Sequence, residues 1–283
     1  MATQIGPYTL NLLETGRFAL DGGAMFGVVP KNIWEKTNPP DDQNRIDMAL
    51  RILLIQSKNK NILVDTGIGT KWDEKYAKIY RIDHGQFTLE KSLSKFHLSP
   101  TDITDVILTH LHFDHVGGST YREADQLKLT FPNAVHYIQK EQWEWAHQPC
   151  EKDRASFLKE NFDPLSGKNL KLLEGETEIY PGIYVMISHG HTQAQQVVKV
   201  TDGRNTVFYC GDLIPTSSHI PVPFVMGYDN LPVLIMQEKK YILEQAIKGN
   251  WILCFEHDPK IGAATITRDP QKWRYSIKDV VLL

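Results

Sequence analysis

Short apolar runs bounded by turn residues divide most of the chain into predicted β-strands. Residues 50–56 and 61–64 are two such runs, and the Lys58-Asn59-Lys60 segment between them predicts a hairpin. The mostly β-branched segment Val106-Ile107-Leu108 predicts a short buried strand. The other predicted strands lie within residues 8–18, 134–138, 183–188, 196–200, 206–210 and 251–255, and a final short strand and tail follow them.

Apolar residues at helical spacing predict helices between these strands. Leu89, Leu93 and Phe96 share one face of a predicted helix over residues 88–96. The Ser99-Pro100 pair then predicts the start of a second, short helix, because serine caps helices and proline fits their first turn. The remaining predicted helices comprise residues 140–147, 154–161 and 234–248.

This alternation of strands and helices predicts the α/β class. We find no linker rich in glycine, serine or proline and no low-complexity run, so we predict one domain over residues 1–283. A helical insert at about 140–165 carries several aromatic side chains. These aromatics either cap a pocket or belong to the core, and the core is the more common place for aromatics at helical spacing.

Composition and charge narrow the possible partners. A net charge of −3 argues against nucleic-acid binding, which needs a basic face. Three scattered cysteines are too few for a disulfide framework. No apolar run approaches the roughly 20 residues of a membrane span, and the first residues do not resemble a signal peptide. We therefore expect a cytoplasmic protein that binds neither nucleic acid nor membranes.

Four side chains that can bind a metal lie within six positions, namely His110, His112, Asp114 and His115. If the backbone stays extended after the strand, His110, His112 and Asp114 point to one side. His115 joins them only if the chain turns near it, and the Gly-Gly pair that follows supplies backbone freedom there. Imidazole and carboxylate ligands suit zinc and its first-row neighbours. The segment therefore predicts a metal site rather than a solvated loop.

Other predicted strands also end in potential ligands, at Asp65, His191, Asp212 and His257. Side chains on loops at strand ends can converge on one rim of a sheet. Asp65 precedes Thr66 and a glycine, so it could be a simple turn former. Next to the histidine cluster we favour a supporting role, in which Asp65 holds a metal ligand from behind without contacting the ion.

An apolar segment near the N-terminus is a candidate pocket wall. The segment from Leu20 to Gly27 contains an Asp-Gly-Gly turn signal and an apolar tip, so it either lines a pocket or packs on the core as a hairpin tip. The candidate wall residues are Met25, Phe26, Phe224, Met226 and Tyr228. Such a wall suits a hydrophobic acyl chain or an aromatic ester better than a sugar or a nucleotide.

The His-x-His-x-Asp-His motif at positions 110–115, with the later His191, Asp212 and His257, resembles the metallo-β-lactamase-fold hydrolase superfamily. The resemblance extends from the Asp65 turn to His257 and implies an αββα sandwich of two mixed β-sheets. It also implies two divalent metal ions, with zinc favoured and iron, manganese or cobalt compatible with the same ligands. By this resemblance the first ion is bound by His110, His112 and His191, the second by Asp114, His115 and His257, and Asp212 bridges both.

The resemblance also separates ligands from other histidines. His189 is expected not to be a ligand, because the family places its ligand between Gly and Thr, where His191 stands. The other predicted non-ligands are His84, His97, His136, His147 and His219. Lactonases of this superfamily carry a tyrosine three residues after the bridging aspartate, where this chain has Pro215. Tyr228 could replace that tyrosine in catalysis, and a role for His219 stays open.

Departures from other branches favour the lactonase and organophosphate-hydrolase branch. β-Lactamases with two zinc ions commonly have a cysteine in the region of Asp212, so antibiotic hydrolysis is disfavoured. Glyoxalase-type thioesterases carry a helical extension, whereas only about 25 residues follow His257 here. The long arms of the RNA-processing branch are also absent from this sequence. The segment from Leu20 to Gly27 is similar to the N-terminal part of the lactonase branch.

The expected reaction is hydrolysis of an ester or lactone, for example of acyl-homoserine-lactone type, by a hydroxide shared between two ions. Asp114 is expected to carry the proton from the water to the leaving group. Two alternatives stay open, namely a thioester or phosphotriester hydrolase using the same ions and a non-catalytic metal-binding protein of the same fold. The expected partner is a small molecule, and the sequence is compatible with a dimer.

Overall fold

Two seven-stranded sheets pack face to face in the computed structural model, which describes residues 3–167, 169–271 and 274–283. A separate two-stranded hairpin accompanies them. The strands in chain order are β1 (Thr3–Ile5), β2 (Tyr8–Asp21), β3 (Arg45–Ser57), β4 (Lys60–Val64), β5 (Asp105–Ile107), β6 (Thr120–Glu123), β7 (Gln126–Leu129), β8 (Val135–Gln139), β9 (Leu170–Leu173), β10 (Thr177–Tyr180), β11 (Ile183–Ser188), β12 (Gln195–Thr201), β13 (Thr206–Tyr209), β14 (Ile252–Cys254), β15 (Ala263–Asp269) and β16 (Arg274–Val281).

Both large sheets are mixed. The first has the order β1-β2-β3-β4-β5-β8-β9, with antiparallel pairs as far as β4 and parallel pairs from β4 onward. The second runs from β10 to β16 in chain order, and only its β13–β14 pair is parallel. Each sheet therefore contains parallel neighbours whose carboxyl ends lie at a common edge.

Helices lie between many of the strands in the sequence, and some of them pack on the outer faces of the sheets. The helices are α1 (Gly22–Phe26), α2 (Lys31–Trp34), α3 (Glu74–Ile79), α4 (Leu89–Ser94), α5 (Phe113–Val116), α6 (Lys140–His147), α7 (Lys159–Phe162) and the long α8 (Pro232–Gly249). None of the helices in the described ranges combines the length and the apolarity that crossing a bilayer requires.

Three apolar clusters define four layers. The first cluster lies between the sheets and includes Leu53 of β3 and Val198 of β12. The second joins the outer face of the first sheet to helices such as α4, through residues such as Leu93. The third joins the second sheet to α8, for example through Phe208 and Leu243. The chain is thus an α/β protein with an αββα sandwich, as the family resemblance implied.

The predicted β3–β4 hairpin, α6 and β11 are confirmed, and two local predictions are wrong. The apolar tip after Leu20, for which a pocket wall and a hairpin tip were the two alternatives, is not a hairpin but helix α1, because the Asp21 carboxylate accepts a hydrogen bond from the Ala24 amide and caps it. The predicted helix 154–161 is interrupted, since Phe157 and Leu158 adopt extended backbone conformations. The final short strand is a hairpin of β15 and β16, whose outer strand is too polar to resemble a buried strand.

The loop after β4 and the turn after α5 approach each other so closely that the glycines between them have no room for a side chain. The Gly118 amide donates to the Gly67 carbonyl oxygen at 2.9 Å, and the Thr66 amide donates to the His115 carbonyl oxygen at 2.8 Å. A Cβ at Gly118 would lie 2.1 Å from the Thr66 carbonyl oxygen. This contact fixes the backbone that carries His115 against the end of β4.

We expect Gly118→Ala to lower the free energy of unfolding by about 2–3 kcal/mol, because the added methyl group must push two backbone segments apart. Chemical denaturation measures this change. Gly85→Ala is the control, because its methyl group would meet only an Asp83 side-chain oxygen at 3.1 Å, and we expect it to cost less than about 1 kcal/mol. Equal stability of the Gly118→Ala variant and the wild type would contradict the close approach.

Candidate metal centre

The candidate ligands lie where strands of both sheets end. Asp65 follows β4, and His110 lies shortly after β5, the parallel neighbour of β4. Asp212 follows β13 and His257 follows β14, which are also parallel neighbours. His191 follows β11. Because the two sheets face each other, these loops meet at one edge of the sandwich.

The chain turns at the predicted place to bring in the remaining candidates. His112 is the N-cap of α5, and this single helical turn carries Asp114 and His115. Helical geometry after His112 replaces the extended backbone, so His115 points to the same centre as the preceding candidates instead of away from it. All of these side chains are buried.

The first group of converging ligand atoms comes from His110, His112, His191 and Asp212. His112 Nδ1 lies 3.0 Å from His110 Nε2 and 3.1 Å from His191 Nε2. The Asp212 Oδ2 atom lies 3.1 Å from His191 Nε2. Four potential ligand atoms therefore surround one small volume.

The second group comes from Asp114, His115 and His257. The Nε2 atoms of His115 and His257 lie 3.2 Å apart, and Asp114 Oδ2 lies 3.7 Å from His257 Nε2. Asp212 also reaches this group, because its Oδ1 atom lies 3.2 Å from His257 Nε2. The carboxylate of Asp212 thus stands between the two groups, as the family resemblance implied for a bridging ligand.

The donor atoms fit divalent cations. Two ligands at about 2.0–2.1 Å from one tetrahedral zinc ion are about 3.3 Å apart, close to the spacing of the facing nitrogens. Neutral imidazoles that face each other through bare nitrogens repel, unless a cation or a proton lies between them. The Asp212 carboxylate is buried, and its two oxygens face the inward nitrogens of His191 and His257, which is the placement that a ligand shared by two ions requires.

Contacts on the far side of each ring fix which nitrogen faces the centre. His191 Nδ1 lies 2.9 Å from Asp229 Oδ1, and His257 Nδ1 lies 3.0 Å from the Ala49 carbonyl oxygen. A ring that donates its Nδ1 proton outward presents a bare Nε2 lone pair inward. The tautomer that metal binding requires is therefore favoured by the surrounding protein.

His115 has two carboxylates behind it. Its Nδ1 atom lies 3.1 Å from Asp65 Oδ2 and 3.1 Å from Glu256 Oε2. Asp65 has a left-handed backbone with φ 60° and also accepts hydrogen bonds from the amide and hydroxyl of Thr109, both at 2.7 Å. Asp65 thus connects the end of β4 to the histidine segment, in the place that its predicted supporting role requires.

The charges of the site favour a bound cation. Burial and the neighbouring histidines lower the pKa of His110 and His112 well below the usual value, so both rings remain neutral. Burial by itself would lower the pKa of His191 and His257. The carboxylate of Asp212 and other nearby carboxylates have the larger effect, and they raise both pKa values to about 9. Protons therefore compensate the buried carboxylates when no cation does, and metal binding is expected to release them.

A cavity of about 170 Å³ opens beside both groups. Ligand side chains form one side, and apolar side chains such as Met25, Met48 and Met226 form another. A larger cavity of about 420 Å³ contains none of the predicted ligands. Because the candidate ligands line the smaller of these two cavities and not the larger, the smaller one is the candidate substrate site.

Three of the five predicted pocket residues line this cavity, and two do not. Met25, Met226 and Tyr228 line it. Phe26 is fully buried, because its ring stacks between Trp34 and His219. Phe224 belongs to a different cavity, so both phenylalanines support the wall from behind instead of forming it.

The histidines predicted to be non-ligands lie outside both ligand groups. His189 accepts a hydrogen bond from the Ala194 amide at 3.2 Å. His219 contacts the Thr216 hydroxyl at 2.7 Å and the Met25 carbonyl oxygen at 2.8 Å, and burial lowers its pKa to about 4. A neutral, doubly bonded ring of this kind supports α1 rather than binding an ion.

Sequence reasoning missed Asp229, Glu256 and Lys152. Asp229 lies in an irregular loop, where no periodicity indicates direction, and nothing in the sequence connects it with His191. Glu256 precedes His257 and is fully buried, and burial raises its pKa to about 8. Its position next to the predicted ligand His257 could have indicated a role at the site. Lys152 lines the cavity from the helical insert.

We expect Asp229→Asn to weaken metal binding about 10–100-fold, because the neutral amide no longer favours the Nδ1-protonated form of His191. Competition with a chelator measures the affinity. Asp163→Asn is the matched control, since Asp163 makes a similar 3.0 Å contact with His147 away from the site. Unchanged affinity in Asp229→Asn would reduce Asp229 to a packing role.

Known proteins resemble the chain in both sequence and fold. An N-acyl homoserine lactonase from Bacillus cereus is 27% identical over 231 residues, which cover 76% of this chain and 83% of the relative. The structure of a probable metal-dependent hydrolase from Staphylococcus aureus matches with a TM-score of 0.86 and 28% identity, covering 99% of this chain and 100% of that one.

A dizinc quorum-quenching lactonase, solved with its product, has the same fold, with a TM-score of 0.79 and 23% identity over 100% of this chain and 98% of that chain. The family model of the metallo-beta-lactamase superfamily matches residues 51–257. The expectation of a metal-dependent hydrolase is thereby confirmed. The span of this match, which runs from β3 to the last predicted ligand, shows that the chain belongs to the metallo-beta-lactamase superfamily.

Proposed function

We propose that the chain hydrolyses the ester bond of a lactone of the N-acyl homoserine lactone class with two divalent metal ions. The observation that carries this proposal is the convergence of both ligand groups on Asp212, at the base of a cavity with apolar walls. The lactonase activity of the Bacillus relatives supports the choice of substrate class.

Seven side chains would hold the two ions. His110, His112 and His191 suit the first, Asp114, His115 and His257 suit the second, and Asp212 suits both. Zinc is favoured by the nitrogen-rich ligand set, while iron, manganese and cobalt are compatible with it. Bound there, such ions supply an acidified water molecule and polarise the substrate carbonyl group.

Asp114 is the proposed proton carrier. It lines the cavity, and its Oδ2 atom lies 3.9 Å from His115 Nε2 and 3.7 Å from His257 Nε2. One carboxylate oxygen can therefore face the second ligand group while the other accepts a proton from the attacking water. The same oxygen can then return that proton to the departing alkoxide, which keeps both transfers within one side chain.

Tyr228 is the proposed hydrogen-bond donor to the substrate. It lines the cavity in the loop that also contains Met226. Partial burial, with smaller contributions from Tyr80, Asp21 and Asp114, raises the pKa of its hydroxyl. The group therefore keeps its proton near neutral pH and can donate to a carbonyl oxygen whose negative charge grows during attack.

A substrate panel tests the proposal. We expect the zinc-reconstituted protein to cleave N-hexanoyl homoserine lactone with a kcat/KM at least about 100-fold above that for a paraoxon-like phosphotriester or a glutathione thioester. A chelator should abolish the activity, and added metal should restore it. Preferential thioester or phosphotriester cleavage would replace the proposed substrate class, and no hydrolysis by the metal-bound protein would overturn the proposal.

A further inference from the structure

Lys152 differs from the other residues that line the cavity in carrying an ammonium group. Among the described residues that line the cavity it is the only lysine or arginine, and it comes from the helical insert rather than from a sheet. Neither the proposed metal binding nor the proposed proton transfer uses it. Its position in the cavity wall places it where it can contact a bound substrate.

A hydrogen bond to the protein backbone fixes the position of the Lys152 ammonium group. Lys152 Nζ donates a hydrogen bond to the carbonyl oxygen of Asp229, whose side chain contacts His191. One N–H of an ammonium group is thereby used, and two more remain for other acceptors. The lysine head group thus has a defined position relative to the first ligand group, although the residue as a whole is exposed.

The neighbouring residue, Asp153, fixes the backbone of the insert. It is 4% exposed and accepts hydrogen bonds from Trp145 Nε1 at 2.9 Å, Thr192 Oγ1 at 3.1 Å and Asn230 Nδ2 at 2.6 Å. These donors belong to α6, to the loop next to His191 and to the loop next to Asp229. The segment that carries Lys152 is therefore connected to the candidate metal centre by hydrogen bonds that are buried or partly buried.

The walls of the cavity differ in chemistry. Met25, Met48 and Met226 present apolar surface, whereas the insert contributes the polar residues Lys152, Asp153 and Ser156. Polar groups at the rim of an apolar cavity orient a ligand and select among ligands. A substrate that fills this cavity would therefore carry a hydrogen-bond acceptor beside an apolar chain.

We propose that Lys152 is a specificity-determining residue, which donates a hydrogen bond to an amide carbonyl oxygen of the substrate outside the bond that is cleaved. This inference rests on the proposed lactone hydrolysis and adds to it. It assigns a preference for N-acylated lactones over alkyl lactones without an amide, because only the former offer the ammonium group a strong neutral acceptor away from the metal ions.

Two lactones and three variants test this role. N-Hexanoyl homoserine lactone carries the amide, and γ-decalactone lacks it. We expect Lys152→Met to lower kcat/KM for the first by about tenfold, mainly through KM, and for the second by less than about twofold. Lys152→Arg should stay within about threefold of the wild type on both, since it keeps a charged donor.

Lys159→Met is the matched control, because it removes the same charge from an exposed position of the same insert that does not line the cavity. We expect it to leave both substrates unaffected. If the wild type cleaves only the amide-bearing lactone, the inhibition constant of γ-decalactone as a competitor supplies the second value.

An equal loss on both lactones, or no loss on either, would overturn the specificity role while leaving lactone hydrolysis intact. Unchanged thermal stability of Lys152→Met would exclude a collapsed insert as the cause of a selective loss. Hydrolysis of neither lactone by the metal-bound wild type would overturn the proposed function, and with it this inference.

Discussion

Replacing Asp212 by alanine is expected to leave at most one equivalent of bound metal and to lower kcat/KM for the lactone by more than about a thousandfold. The carboxylate lies 3.1 Å from His191 Nε2 with one oxygen and 3.2 Å from His257 Nε2 with the other. Its removal takes a ligand from both groups at once. Metal catalysis stabilises a transition state by several kcal/mol, and about 1.4 kcal/mol corresponds to a factor of ten.

Metal analysis together with steady-state kinetics measures this result. Asp125→Ala is the control, because it removes one negative charge from an exposed position in the β6–β7 turn. We expect that control to keep two equivalents of metal and full activity. An Asp212→Ala variant with two equivalents of metal and activity like the wild type would show that Asp212 does not connect the groups.

Replacing Asp114 by asparagine is expected to lower kcat by about 10²–10⁴-fold while the first group keeps its metal. The amide oxygen can still approach an ion, but the amide group accepts no proton at neutral pH. The first group, His110, His112, His191 and Asp212, does not include Asp114, so its ligand set stays complete. The loss should therefore appear in kcat at constant occupancy of the first group.

Metal content measured on the same samples separates the two possible causes of this loss. Asp114→Glu, which keeps a carboxylate, should recover part of the activity if the missing proton acceptor causes the loss. If Asp114→Asn keeps both ions and full kcat, Asp114 is not the proton carrier. If it loses only the second ion, and added zinc restores full activity, Asp114 acts solely as a ligand.

The parts of the site that follow local rules were predictable from the sequence. A buried strand followed by alternating histidines determines the direction of His110 and His112, and the glycines after them indicate the turn that carries His115 inward. The later ligands each follow a strand, and strand ends meet at a sheet edge. The αββα layers followed from the family resemblance, because periodicity alone indicated only an α/β protein.

The remaining parts depend on contacts between segments distant in the chain. Phe26 has the apolar side chain expected of a wall residue, yet its ring stacks on Trp34 and His219 instead of lining the cavity. The packing of α1 determines this orientation. Asp229 reaches His191 across 38 positions of the sequence. Lys152 reaches the cavity because Asp153 fixes an insert whose helix is interrupted. No local pattern encodes such contacts.

The most direct test of the two-ion centre is a crystal structure of the zinc-bound protein with anomalous data at the zinc edge. We predict two ions, each at about 2.0–2.2 Å from an oxygen of Asp212. One ion should contact His110, His112 and His191, and the other Asp114, His115 and His257. A single ion, or two ions of which neither contacts Asp212, would contradict the account.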